Sequence, residues 1–198
     1  MVSAKFTIAT ALSLVLPAVL PWPAEAQSPD TQHSNTSEFI FSGRSVTSSR
    51  YPRAYLTLDH SISVGELSQR FSDYEVNIGQ CEWPLCLDIQ SPSGSLEVNY
   101  DEAEGRVLSV KLWGHGGMDI AGNRSGDPLI KAVGNKARCT PGEDGFYCEA
   151  PAIENLQYLV DPSECPMPRG EDLVAIPACA TIAGFWIGIE PASEEPSE

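Results

Sequence analysis

The chain has 198 residues, 42% of them apolar, and carries 12 Lys and Arg against 27 Asp and Glu, a formal charge of −15. Phosphate contacts need a basic patch, so a nucleic-acid binder is not expected. The 16 glycines and 16 prolines follow no period, which sets aside collagen, coiled-coil and wholly disordered chains.

Residues 1–26 read as a secretory signal peptide. Lys5 supplies the positive start and Phe6 to Leu16 the apolar stretch. Pro17, Pro21 and Pro23 break that stretch, and Ala24-Glu25-Ala26 is an A-x-A cleavage pattern. A spanning helix needs about 20 uninterrupted apolar residues, and the three prolines with Glu25 interrupt this one. Cleavage before Gln27 removes one Lys and one Glu, so the charge is unchanged. No later stretch is long and apolar enough to span a bilayer, and no cysteine stands at the cleavage point to carry a bacterial lipid anchor. The expectation is a periplasmic or secreted protein without membrane span or lipid anchor. Its partners would be basic proteins, cations or neutral ligands.

Residues 27–53, rich in Ser, Thr, Asn, Asp and Pro with Phe39-Ile40-Phe41 as the apolar cluster, read as a flexible leader with one short strand near Glu38 to Ser42. Residues 54–190 read as a single α+β domain, and residues 191–198 as a disordered acidic tail. The domain opens with an alternating strand over Ala54–Leu58. Ser63 stands three before Glu66, a capping box opening a short helix through Phe71. Strands follow at Tyr74–Ile78, Leu85–Gln90, Leu96–Tyr100 and Arg106–Trp113, with a turn over Asp101–Gly105. Asp127 as N-cap with Pro128 at the first helical position opens a second helix, which Gly134 closes. Strands are then expected at Lys136–Cys139, Phe146–Glu149, Leu156–Val160 and Ala183–Ile189. Leu96-Glu97-Val98-Asn99-Tyr100-Asp101 aligns with Leu156-Gln157-Tyr158-Leu159-Val160-Asp161. The order suggests an internal repeat, residues 54–114 and 118–190. Two similar helix-plus-antiparallel-strand passages would form one sheet with short helices on one face.

All six cysteines, Cys81, Cys86, Cys139, Cys148, Cys165 and Cys179, follow the signal peptide. An even count in an exported chain points to disulfides, with many pairings open. Clustering around turn-forming residues favours Cys81–Cys86, Cys139–Cys148 and Cys165–Cys179. No C-x-x-C is present, so structural staples are favoured over a metal site.

The run Asp119-Ile120-Ala121-Gly122-Asn123-Arg124-Ser125-Gly126-Asp127-Pro128-Leu129 is followed by Cys139, Cys148 and Leu156-Gln157-Tyr158. It resembles the sigma-E-regulated envelope lipoprotein family of proteobacteria, a domain family of unknown function. There too a Gly-x-Pro helix start leads to a cysteine, an acidic loop, a second cysteine and a strand containing Tyr. The hairpin over Leu96–Leu112 fits the same pattern, so the likeness spans Tyr55 to Ile189. The resemblance implies an envelope protein linked to stress and carries over no catalytic residues. The anchoring cysteine of that family is absent here, and Cys81, Cys86, Cys165 and Cys179 fall outside its pattern.

Three histidines occur, with His33 in the leader and His60 in a turn before the first helix. His115, in Gly114-His115-Gly116-Gly117, could belong to an oxyanion hole, but that needs a G-x-S-x-G elbow and the chain has none. Read structurally, its glycines supply turn positions after a long strand. The acidic groups Asp101, Glu102 and Glu104, and Glu143 with Asp144, sit in expected turns where solvation explains them. Asn123, Ser125 and Asp127 suggest a calcium loop, but Pro128 falls where the EF-hand glycine should be. Trp83, between Cys81 and Cys86, would be an anchor on a stapled loop or a cap on the sheet edge. Trp113 and Trp186 lie in apolar strands and are expected in the core.

The main expectation is a non-enzymatic, secreted or periplasmic envelope protein that binds another macromolecule, an envelope or extracellular protein. Trp83 and His115 are its binding candidates; no cofactor, metal or catalytic residue is assigned. The alternatives are an acidic inhibitor of a basic hydrolase such as lysozyme, and a hydrolase centred on His115 with acidic partners.

Overall fold

The structure, a computed structural model, describes residues 37–80, 85–142, 144–168 and 173–189. The signal peptide, His33, Trp83, the pairing of Cys81 with Cys86, Glu143 and the acidic tail lie outside the described residues.

Strands Phe39–Phe41 (β1), Ser45–Ser48 (β2) and Tyr55–Thr57 (β3) precede helix Val64–Arg70 (α1). A meander follows, of Glu75–Gln80 (β4), Leu85–Ser91 (β5), Gly94–Asp101 (β6) and Arg106–Gly114 (β7). After strand Gly117–Asp119 (β8) and helix Leu129–Val133 (α2) come Lys136–Pro141 (β9), Phe146–Glu149 (β10), Leu156–Val160 (β11), Leu173–Ala175 (β12) and Gly184–Gly188 (β13). The class is α+β and mostly sheet.

Local chemistry sets the helix ends. Ser63 Oγ accepts from the Glu66 amide at 3.2 Å, and Glu66 Oε2 accepts from the Ser63 amide at 3.0 Å, the reciprocal box that satisfies two otherwise orphaned donors. The Ser63 backbone donor, seconded by its hydroxyl, holds the Glu66 carboxyl below the ordinary carboxylate range. At the other end Arg70 lies 4.3 Å from the centroid of the Tyr55 ring. α2 departs from expectation: its N-cap is Pro128, with no side-chain cap. Asp127 instead accepts from the Arg124 amide at 3.1 Å and from Lys131 Nζ at 2.8 Å, closing the preceding turn and forming an i,i+4 ion pair. Gly134, at φ 78°, ends the helix as expected.

Nine strands form one sheet in the order β12-β9-β10-β11-β13-β7-β6-β5-β4, with every pair antiparallel. The two passages thus meet last strand to last strand, β7 against β13. Alternation of side chains gives this sheet one apolar face. Leu87, Ile89, Leu96, Val98, Val110, Leu112, Phe185, Ile187 and Tyr158 on that face are all at most 2% exposed. A bulge between Asn99 and Tyr100 inserts Leu108 on the facing strand, so Val107 and Val110 both point inward. Leu67 of α1, Phe71 at its C-cap, and Leu129 and Val133 of α2 join the same core.

The expected single sheet is accompanied by a second. β3, β2, β1 and β8 form a four-stranded sheet in that order, with β8 parallel to β1. Residues 37–53 are therefore not a flexible leader: Phe39 and Phe41 are fully buried, and Phe41 stacks on Phe185 at 5.2 Å between ring centroids. Composition misled because the apolar cluster is short and its partner β8 is remote in sequence.

Cys139 and Cys148 stand directly opposite each other on β9 and β10 and are disulfide-bonded. Cys165 and Cys179 are also bonded, closing the long connection between β11 and β13 around β12. Among the described residues no cysteine is free, and no helix is long and apolar enough to cross a membrane. The two disulfides fit an oxidising compartment.

Two outcomes follow from this packing. Replacing Cys139 and Cys148 together by Ala lowers the unfolding free energy by about 2–3 kcal/mol through lost loop closure, read from urea denaturation. Ser48 Oγ and Tyr74 Oη are 2.7 Å apart, and burial pushes the Tyr74 hydroxyl up to about 12. An unfolded tyrosine titrates near about 10, so the folded state retains a proton that the unfolded chain loses. The stability contributed by Tyr74 is whole below about pH 10 and is lost as pH rises toward its folded value. Melting temperatures from pH 9 to 12 should fall, and less steeply in Tyr74→Phe; equal slopes would refute the assignment.

Candidate functional site

The structure separates the candidates that sequence put forward. His115 is exposed in the turn between β7 and β8 and makes no hydrogen bond among the described residues. The glycines around it are demanded by packing. A Cβ on Gly116 would lie 3.0 Å from Ser93, and one on Gly117 would lie 2.4 Å from the Phe185 ring. Gly116 O accepts the amides of Glu38 and Phe39, both at 2.8 Å, so this turn hands the chain from the large sheet to the small one. Asp101 caps its own turn, accepting from the Ala103 and Glu104 amides, and Glu104 pairs with Arg106 at 2.6 Å. Asp144 pairs with Lys111 at 2.8 Å.

The segment from Asp119 to Asn123 supplies a buried node with Tyr158. Asp119 is fully buried, and Oδ1 accepts from the Ala121 and Asn123 amides at 2.8 and 3.0 Å. Oδ2 accepts from Asn123 Nδ2 at 2.8 Å and from Tyr158 Oη at 2.6 Å. Asn123 Nδ2 also donates to Tyr158 Oη at 3.1 Å. Burial, reinforced by the Asp119 carboxylate, pushes the Tyr158 hydroxyl well above its ordinary value. Four donors satisfy the carboxylate inside the protein, and its enclosure denies it a substrate. Asn123, weighed as a calcium ligand, works here as a donor, and no group of three or more His, Cys, Asp or Glu among the described residues could hold a metal.

The outer face of the large sheet is different. Trp113, Lys111, Trp186, Gln157 and Tyr147 project from it, on the side away from the core. Trp113 and Trp186, expected in the core, are only half-buried. Trp186 and Tyr147 pack at right angles, 6.4 Å between ring centroids. Lys111, its side chain 14% exposed, pairs with Asp144 and, at 3.5 Å, with Glu97. Desolvation alone would lower its pKa; the Asp144 hydrogen bond and the Glu97 charge outweigh it and raise the value. Leu159 is fully buried on this outer side, apart from the main core.

At one end of that face lies a cleft of about 410 Å³, walled by Trp186 and polar side chains, Arg44, Asp59, Glu149, Asn155 and Gln157. Four segments build it, around Arg44, Asp59, residues 149–157 and residues 186–189. The β1–β2 turn packs so closely on the β10–β11 loop that a Cβ on Gly43 would lie 1.9 Å from Glu154 O. Asp59 and Asn155 hold φ of 58° and 59°, the non-glycine positive values among the described residues, and both line the cleft. Asp and Asn are the residue types that tolerate this conformation best. Asp59 is neutralised by Arg106 at 3.2 Å, whereas Arg44 is exposed and makes no ion pair among the described residues. The Trp186 indole rests against Gly188, where a Cβ would come within 2.1 Å of it. The lining contains no Ser, Cys or His. It offers an aromatic wall and planar hydrogen-bonding groups, the composition of a binding site.

Sequence reading missed the cleft because its segments are far apart in the chain. The one local signal was Trp186 flanked at two-residue spacing by Gly184 and Gly188, which share its face and leave room beside it. The buried node predicts that Tyr158→Phe, which removes one donor to a charged acceptor, lowers stability by about 1.5–3 kcal/mol in denaturant titration.

No family model matches the sequence, and no curated protein matches it. Among solved structures, the chain is similar to the uncharacterized protein yfeY from Escherichia coli, with a TM-score of 0.48 and 13% sequence identity. The similarity covers 68% of this chain and 93% of that one.

Proposed function

We propose that this is a non-enzymatic binding protein of the periplasm or extracellular space, which holds an envelope macromolecule against the outer face of its large sheet. The observation that carries the reading is the Trp186 cleft. Half-buried aromatic groups stand on a sheet face outside the core, beside a cavity whose carboxylate, amide and guanidinium groups can hold and orient a ligand. The export signal, the disulfides and the resemblance of residues 118–161 to an envelope family support the compartment. The charge of −15 disfavours anionic lipid and nucleic acid as ligands. It equally motivates the inhibitor reading, in which a basic hydrolase would be bound in a salt-sensitive way.

The test is co-sedimentation of the purified mature protein with insoluble envelope material. Wild type and His115→Ala should pellet alike, while Trp186→Ala should lose about tenfold in affinity, the scale of an anchor worth more than 1 kcal/mol. The same incubation should release no reducing ends or amines; release that His115→Ala abolishes would establish the hydrolase instead. Binding to lysozyme that is lost with salt, without binding to the pellet, would favour the inhibitor.

A further inference from the structure

We infer that the Trp186 cleft takes a saccharide, an inference that rests on the binding reading and names its ligand class. The lining decides between ligand chemistries. Glu149 and Glu154 oppose an anion, and Arg44 offsets part of their charge, so the mixed lining suits a neutral ligand rich in hydroxyls. A wholly apolar ligand would strand these polar groups without partners, at a desolvation cost.

Sugar rings answer both halves of the lining. Their axial C–H groups present an apolar patch that packs on an aromatic ring, and Trp186 is the aromatic residue in the lining. Their hydroxyls both donate and accept. They pair with planar groups that fix two atoms at once: the carboxylates of Asp59 and Glu149, the amides of Asn155 and Gln157, and the guanidinium of Arg44. Backbone placement favours rigidity. Asn155 is held by its left-handed conformation in a loop whose Ala150 amide donates to Leu156 O at 3.0 Å, and the Asp59 amide donates to Val107 O at 3.2 Å. A cleft of about 410 Å³ lies within the ~300–1,000 Å³ range of small-ligand sites. Beyond it the outer face continues past Trp186 to Lys111 and Trp113, so a longer glycan has a polar and aromatic surface to follow.

Envelope pellets treated in parallel with periodate, which cleaves vicinal diols, or with protease separate the ligand classes. Binding of the mature protein should fall about tenfold after periodate and survive protease. Trp186→Ala should lose binding to the untreated pellet to the same extent. Asn155→Gly, which keeps the left-handed backbone while deleting the amide, should weaken it severalfold with an unchanged melting temperature, so a folding defect in the tryptophan variant cannot decide the matter. Binding that survives periodate and disappears with protease would overturn the saccharide and leave the binding reading standing. No binding of wild type to any pellet would overturn both.

Discussion

The large sheet depends on the antiparallel pairing of β7 with β13. Strands 106–114 and 184–188 are far apart in sequence, and each closes its own set of antiparallel neighbours. Val110 faces Ile187 and Leu112 faces Phe185 across this seam, all fully buried. Separating the strands would expose two rows of unpaired amides and carbonyls and cut the apolar face in half. Gly184 makes the seam possible, because any Cβ there would sit 2.0 Å from Leu112 O. The same register puts Trp186 opposite Lys111 on the other side, so the pairing that builds the core also fixes the outer face.

The small sheet is tied to this frame by polar as well as apolar contact. Phe41 stacks on Phe185, while Asp119 at the end of β8 draws in Tyr158 from β11 and Asn123 from its own loop. A buried carboxylate with four donors specifies one arrangement of these elements, since losing any donor leaves a buried acceptor unmatched. Asp119, Asn123 and Tyr158 hold two sheets together, and the cleft depends on that docking, because Arg44 and Asp59 reach it from segments flanking β2 and β3.

Features whose physics is local were legible in the sequence. Ser63 with Glu66 specifies a helix start through neighbouring groups, and Cys139 with Cys148 flanks a hairpin turn, so the pattern and the geometry agree. Cys165 with Cys179 was legible by proximity alone. Features that depend on remote partners were not legible. The short strand β1 was expected, but its pairing with β8 in a second sheet was not, and a run such as Gly184-Phe185-Trp186-Ile187-Gly188 is apolar at almost every position. A continuous apolar run does not reveal which residues share a face. Trp186 was therefore assigned to the core it stands opposite. Asp127 followed a general rule for helix starts, but a nearby lysine and the Arg124 amide claimed its carboxylate.

The outer face also carries a cost that stability does not explain. Gly184 and Gly188 flank Trp186 in a strand with neighbours on both sides, where β-branched residues are ordinarily preferred and glycine weakens pairing. Gly184 is forced by the close approach of Leu112 O, but at Gly188 the obstruction is the Trp186 ring itself. A smaller residue at 186 would admit a side chain at 188 and favour the strand. Keeping both a half-buried tryptophan and the glycine beneath it instead preserves a ring laid along the sheet at the mouth of a cleft. That arrangement sacrifices strand propensity for the position of one aromatic ring, and on the proposed binding reading the local rule is broken where a ligand would be held.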